Sequence, residues 1–317
     1  MSDATACDRV FATGGPLSKL LPGYAPRAAQ RAMAAAVERA VSERGTLVCE
    51  AGTGTGKTLA YLVPAVAAGG RTVVSTGTRH LQDRLLERDL PLACRAVART
   101  PRIALLKGRS NYLCRWRYEQ VLTSGRLFPR QVAARVARLS GWAARTVNGD
   151  LAEVTDLAEN DPVRRAVTST ADNCLGSKCP MFDECHVVEA RRRAAEADVV
   201  VANHHLLFAD MALKEQGFAE LLPSADTLVM DEAHQVPDVA TRFFGVEVTS
   251  GQLSELARDT VAAMKADAPD TPDLDPLAAE LESAVRAAAQ AFAGGVQRVE
   301  WGAMALDARE RIESVGV

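Results

Sequence analysis

"CEAGTGTGKTLA", residues 49–60, follows a short apolar run and leads into a stretch with helical character. A strand that ends in a glycine-rich turn and continues as a helix is the setting of a Walker A phosphate loop. Gly52, Gly54 and Gly56 let successive backbone N–H groups converge on phosphate oxygens, and the following helix adds its positive end. The expected cradle is Ala51, Gly52, Thr53, Gly54, Thr55 and Gly56, with Lys57 reaching the β- and γ-phosphates of ATP and Thr58 holding Mg²⁺. Ala51 stands at the first position, where the strict pattern has glycine.

Working outward, short apolar runs recur at "TLVCEAG" (46–52), "TVVSTGT" (72–78), "IALLKG" (103–108), "DVVVANH" (198–204) and "TLVMDEAH" (227–234). Bounded by glycine or polar residues, they read as buried parallel strands. Helical patterns lie between them at 26–43, where Pro26 suits a first turn, and at 56–68 and 78–98. This alternation predicts an α/β unit with a parallel sheet. Residues 109–197 break the pattern: no strong strand shows and Arg and Ala dominate, so they read as an insertion. After Gly245 the chain turns Ala-, Glu- and Asp-rich, with a breaker at "ADAPDTPDLDP" (266–276). It reads as the beginning of a helical unit that stops at "ESVGV" without an obvious ending.

"LVMDEAH" (228–234) supplies the second half of a hydrolytic site. Asp231, at the carboxyl end of an apolar strand, is placed to hold Mg²⁺ through water, and Glu232 to polarise the attacking water. With the phosphate loop, this makes nucleoside triphosphate hydrolysis the leading chemistry.

The 317 residues are 48% hydrophobic and 24% charged, enough for a real core and for two units. The amino-terminal stretch has no apolar signal region, and no apolar run approaches membrane-spanning length, so a cytoplasmic location without membrane contact is expected. Seven cysteines, an odd number, then argue against a disulfide framework. The net charge of −3 conceals a division: residues 71–145 carry 16 Lys+Arg against 4 Asp+Glu, and residues 246–317 carry 6 against 13. A basic block of this kind is suited to a polyanion.

These motifs together resemble the DEAH-type superfamily 2 helicases of the DinG/XPD group, which carry an iron–sulfur cluster. "PRAAQ" (26–30) is similar to the group's adenine-recognition segment, with Gln30 the base contact and Arg27 beside it. "STGTRHLQDRLL" (75–86) resembles the motif that touches the nucleic-acid backbone. "KGRSNYLC" (107–114) and "VVVANHHLLFAD" (199–210) resemble the segments bracketing the cluster domain. The resemblance covers about residues 24–245, and it adds His234 of the DEAH box to Lys57, Asp231 and Glu232 as catalytic residues. Departure from glycine at Ala51 is shared by helicase-type loops.

The resemblance implies a RecA-like motor domain in two parts, 1–108 and 198–245, an inserted helical iron–sulfur domain at 109–197, and the start of a helical arch domain at 246–317. It gives meaning to "DNCLGSKCPMFDEC" (172–185): Cys114, then Cys174, Cys179 and Cys185 after 59 intervening residues, supply four thiolates for a [4Fe–4S] cluster. Zinc held by the four cysteines, or by three with His186, is the alternative. Cys49 is expected inside a strand, Cys94 on an apolar helix face and Cys7 in a loose terminus. His204 and His205 read as strand-end structural residues. Tyr112, Trp116 and Tyr118, interleaved with Arg109, Arg115 and Arg117, suit either base stacking or core packing.

The implied activity is ATP-dependent, 5′ to 3′ helicase action on single-stranded or forked DNA in replication or repair. A second motor domain, expected in the C-terminal part of a longer chain, would complete the cleft; no protein partner is indicated. The alternative is a non-catalytic module that binds nucleotide, DNA and a cluster.

Overall fold

A computed structural model of the chain describes residues 6–123, 129–158, 160–170, 173–215, 221–244, 249–267, 273–290 and 309–310. Part of the 266–276 breaker, residue 172 and the "ESVGV" ending lie outside the described residues. Two compact units divide the chain, Met1–Phe243 and Phe244–Val317.

The first unit is organised on a parallel sheet of β1 (Thr72–Thr76), β2 (Ile103–Leu105), β3 (Val199–Asn203) and β4 (Thr227–Met230), in the order β2-β3-β1-β4. Alternation along the strands feeds two cores. Val74, Val199 and Val201 join the helices Ala28–Ser42, Lys57–Ala68 and Leu90–Ala96 on one side. Val73, Val200, Ala202 and Ala104 join Ala190 and Ala194 of His186–Glu196 and Leu207 of His204–Glu215 on the other. A sheet covered on both faces needs strands that are apolar throughout, and β1 is buried at every residue. Aspartates bind the strands' entrances: Asp198 Oδ2 accepts the Arg102 N–H at 2.8 Å, and Asp226 Oδ2 accepts the Arg71 N–H at 2.8 Å.

Four of the five expected strands form. The fifth, at 46–52, does not: residues 45–50 are irregular and exposed, with Val48 at 93%. A strand exists through its ladder, and the apolar run here is only Leu47, Val48 and Cys49 between Thr46 and Glu50. β4 is therefore an edge strand with Leu228 and Met230 partly exposed, and Cys49 is an exposed thiol rather than a packed one. The helix expected from Pro26 begins at Ala28, after the Arg27 cap. Cys7 is not loose: its helix, Ala6–Phe11, packs into the core, and burial followed by Glu38 pushes its thiol up to about 12.

Between β2 and β3 the chain builds helices at Arg115–Thr123, Arg130–Arg138, Ser140–Ala143, Pro162–Val167 and His186–Glu196. Leu113, Val121, Val136, Leu139, Leu151, Val163 and Val167 give this stretch a hydrophobic core distinct from the two at the sheet. In the second unit the helices Ser250–Asp267 and Leu274–Gln290 pack on each other, burying Ala257, Met264, Ala278 and Val285. Among the described residues, no helix is long and apolar enough to cross a membrane.

Candidate active site

The phosphate loop takes its shape from glycine. Gly54 and Gly56 have φ of +77° and +85°, a region costly for residues with a Cβ. A Cβ on Gly56 would also fall 2.2 Å from Gln30 Nε2. That approach is used: buried Gln30 donates to the Gly56 carbonyl at 3.0 Å, and the Tyr24 hydroxyl, shared with the Phe11 carbonyl, lies 3.3 Å from Gln30 Oε1. Arg27 donates to the Gly54 carbonyl, and the Thr55 hydroxyl to that of Gly52 at 2.9 Å. Arg27 and Gln30 thus grip the loop's backbone, and neither lines the cavity beside it.

That cavity, of about 380 Å³, is walled by Thr53, Gly54, Gly56, Lys57 and Thr58 from the loop and Asp231 and Glu232 from the end of β4. Leu81, Arg84, Leu85 and Asp89 close another side. Lys57 stands at the first turn of its helix, and its ammonium lies 3.8 Å from Glu232 Oε1. Ala51, Gly52 and Thr55 shape the loop without lining the cavity.

Asp231 is the most constrained acid. Its N–H donates to the Ser75 carbonyl at 2.8 Å, continuing the β4–β1 ladder, and Tyr61 donates to its Oδ2 at 3.2 Å. Burial raises its carboxyl above the ordinary range, the Tyr61 bond opposes that rise, and the Glu232 charge adds to it. Glu232 follows with φ of +56°, a strained conformation for a residue with a Cβ, and this turns its carboxylate back toward Lys57. His234 is largely exposed, with Nδ1 3.5 Å from Glu232 Oε2, and does not line the cavity.

His204 locks the strand ends together. It is fully buried, with Nδ1 2.7 Å from Ser75 Oγ and Nε2 2.9 Å from the Asp231 carbonyl. A carbonyl only accepts, so Nε2 carries the proton and Nδ1 accepts from the Ser75 hydroxyl. This is the structural role read from the sequence. Tyr61 escaped that reading although it stands four residues after Lys57, on the same helix face. Arg84 falls in the 75–86 segment, which reads as a nucleic-acid contact and not as a cavity wall, and Asp89 had no motif to mark it.

The cysteines divide by surroundings. Cys114, Cys174, Cys179 and Cys185 are free thiols. Burial raises the Cys114 thiol, the Arg117 backbone opposes that rise, and Cys179, Cys185 and Cys174 add to it. Arg191 adjoins Cys174, Cys185 and Arg109. Among the described residues no three His, Cys, Asp or Glu side chains stand close enough to hold a metal ion. Four sulfurs with cationic neighbours nevertheless fit an iron–sulfur cluster in donor type. His186 packs its ring against Gly149 and is hydrogen-bonded to the Val147 backbone, while its Nε2 is buried without a hydrogen-bond partner among the described residues. Tyr112 is core, its hydroxyl accepting from the Lys107 N–H at 3.0 Å, which removes it from the stacking candidates.

Comparison with known proteins adds an independent line. Residues 28–102, which include the phosphate loop and stop before Asp231, match the DEAD/DEAH box helicase model. The chain is 49% identical over 271 residues to the ATP-dependent DNA helicase YoaA of Escherichia coli K12, covering 86% of this chain and 43% of that protein. It is 40% identical over 258 residues to the ATP-dependent helicase DinG of Mycobacterium tuberculosis H37Rv, covering 74% of this chain and 38% of that one. Against the ATP-dependent DNA helicase DinG of Salmonella choleraesuis, identity is 36% over 244 residues, 71% of this chain and 34% of the relative. The chain spans between about a third and about two fifths of the length of these relatives. The chain thus carries a DEAD/DEAH box helicase stretch at 28–102 and is similar over most of its own length to part of relatives named YoaA and DinG.

Proposed function

We propose that the chain forms the first motor half of an ATP-dependent DNA helicase. The observation that carries this reading is one cavity bringing Lys57 and Thr58 of the loop against Asp231 and Glu232 of the DEAH box. On this reading the phosphate loop cradles ATP, with Arg27 and Gln30 holding its backbone from the side assigned to the adenine. Lys57 leaves Glu232 for the phosphates, which frees the Glu232 carboxylate to polarise the attacking water. Thr58 and Asp231 would hold Mg²⁺, which when bound neutralises charge on the phosphate oxygens. His234, at the outer edge of Glu232, links the DEAH box to a facing domain.

Residues 1–108 and 198–245 are assigned to a RecA-like motor domain, 109–197 to an iron–sulfur domain and 246–317 to the start of an arch domain. Cys114, Cys174, Cys179 and Cys185 would ligate a [4Fe–4S] cluster, which when bound supplies a covalent joint for that insertion. The partner is single-stranded or forked DNA, travelled 5′ to 3′, with a second motor domain completing the cleft in a longer chain. Its place is the cytoplasm, in replication or repair. The test is ATP hydrolysis with and without single-stranded DNA. Lys57→Ala is expected to lower ATP affinity about tenfold or more, and Glu232→Gln to keep binding while hydrolysis falls on the order of a hundredfold. Equal ATP affinity in wild type and Lys57→Ala removes the assignment.

A further inference from the structure

The stretch after β1 does not run as one helix. Regular helix covers Arg79–Arg84, Leu85–Asp89 forms a π turn, and regular helix resumes over Leu90–Ala96. The Leu90 N–H donates to the Leu85 carbonyl, five residues back. In an α-helix, side chains five apart diverge by about 140°. The wider turn brings Arg84 and Asp89 to one side, with Arg84 Nε 3.4 Å from Asp89 Oδ2. Both line the cavity that holds Lys57, Thr58, Asp231 and Glu232. Single π turns inside helices concentrate at functional sites, because the irregular bonding needs a compensating use.

The pair is unequal. Arg84's side chain is 53% exposed and that of Asp89 only 9%, so the guanidinium is held at a solvent-facing contact of the weak kind. Arg88 also faces Asp89, which leaves the buried carboxylate a positive neighbour when Arg84 moves. A guanidinium fork matches phosphate oxygens better than it matches one carboxylate oxygen through Nε.

We propose that Arg84 is a phosphate-binding residue of this site, with Asp89 as its resting partner: it leaves Asp89 and donates to the terminal phosphate of the nucleoside triphosphate. The proposal rests on the reading of the cavity as the ATP site, and it adds a cation from this domain that distinguishes triphosphate from diphosphate. Lys57, at the loop, meets the β-phosphate common to both as well as the γ-phosphate. Arg84 stands on the segment 75–86 compared with a nucleic-acid contact, so the third phosphate and that segment share one residue.

The test is a titration of Mg²⁺-ADP and of a Mg²⁺-bound non-hydrolysable ATP analogue on the full chain. Arg84→Ala is expected to lose on the order of tenfold in analogue affinity and to keep its ADP affinity. Arg84→Lys keeps part of the difference. In Arg84→Ala/Asp89→Asn the buried carboxylate is gone, so a fold damaged by leaving that charge unpaired is repaired while the analogue loss stays. Unchanged analogue affinity in Arg84→Ala, equal losses of both nucleotides, or recovery in the double variant overturns the role of Arg84 alone. Failure of the wild type to bind either nucleotide overturns the ATP-site reading as well.

Discussion

Tyr61 and Asp231 show how one hydroxyl can set the working range of an acid. Burial raises the Asp231 carboxyl, and the Tyr61 hydroxyl at 3.2 Å is the neutral group that pulls it back down. An acid with a raised pKa takes up its proton at a higher pH than an ordinary aspartate, whose value is about 3.9. As pH falls through that raised value, Asp231 becomes neutral and, on the proposed reading, would lose its hold on a divalent cation. Removing the hydroxyl removes a lowering influence. In Tyr61→Phe the acid limb of Mg²⁺-dependent nucleotide binding is therefore expected to move to higher pH, with affinity at neutral pH little changed. The measurement is nucleotide affinity against pH at subsaturating Mg²⁺. An unmoved limb means that the hydroxyl has no influence on the carboxylate.

At the scale of elements, His204 joins β3 to the helix His204–Glu215 while bonding Ser75 of β1 and the backbone just past β4. Burial lowers its pKa below the ordinary histidine value. The unfolded chain then binds a proton more readily than the folded one, so the stability it contributes is complete above about pH 6.5 and is lost as pH falls below that value toward the folded pKa. His186, lowered by burial too, adds to the same slope. In His204→Gln the acid-side loss of stability is expected to shrink to the share of His186, at a cost of about 2–3 kcal/mol at neutral pH. Urea midpoints from pH 5 to pH 8 check this; an identical slope in the variant removes His204 as its source.

The insertion offers a second test at this scale. If Cys114, Cys174, Cys179 and Cys185 close on a cluster, anaerobically purified protein is brown and holds about four irons per chain. Stoichiometric zinc without iron defeats that assignment. Sequence pattern made β1 to β4 legible because each is a short run rich in β-branched or apolar residues, and β1 and β3 are buried on both faces. It failed at 46–52, where three apolar residues do not reveal whether an edge receives them. The π turn was hidden because Arg79–Ala96 keeps a helical composition throughout, and the order of one extra residue per turn leaves no mark in side-chain type. The phosphate-loop and DEAH residues that share one cavity stand out in the spacing, whereas the cluster role of the four cysteines comes from the family resemblance alone. Arg84 and Asp89 do not stand out, since only the walls that face one cavity mark them, and Tyr61 does not, since its mark is a hydrogen bond to an acid far along the chain.

For the whole molecule the deciding quantity is the surplus of basic over acidic charge in one stretch. The 71–145 stretch carries 16 basic and 4 acidic residues, and Arg88, Arg95, Arg99, Arg102, Arg130, Arg138 and Arg145 are exposed. Such a surface binds a phosphate backbone by releasing condensed counterions, so affinity must fall with salt. For about four phosphates contacted on single-stranded DNA, a fourfold rise in salt lowers affinity on the order of fiftyfold. Strand separation asks for more: a stepping cycle needs two domains that close on ATP and reopen after hydrolysis. On the proposed reading, the cavity lined by Lys57 and Glu232 forms one wall of such a cleft, and a facing domain normally supplies the arginine that stabilises the transferring phosphoryl group. The 317 residues are therefore expected to bind single-stranded DNA in a salt-sensitive way, to hydrolyse ATP on the order of a thousandfold slower than a two-domain relative, and not to unwind a forked duplex. A binding titration at two salt concentrations beside a fluorescent fork assay with ATP and Mg²⁺ tests all three. Binding indifferent to salt removes the electrostatic case for DNA, and robust unwinding means that these residues already contain a complete motor.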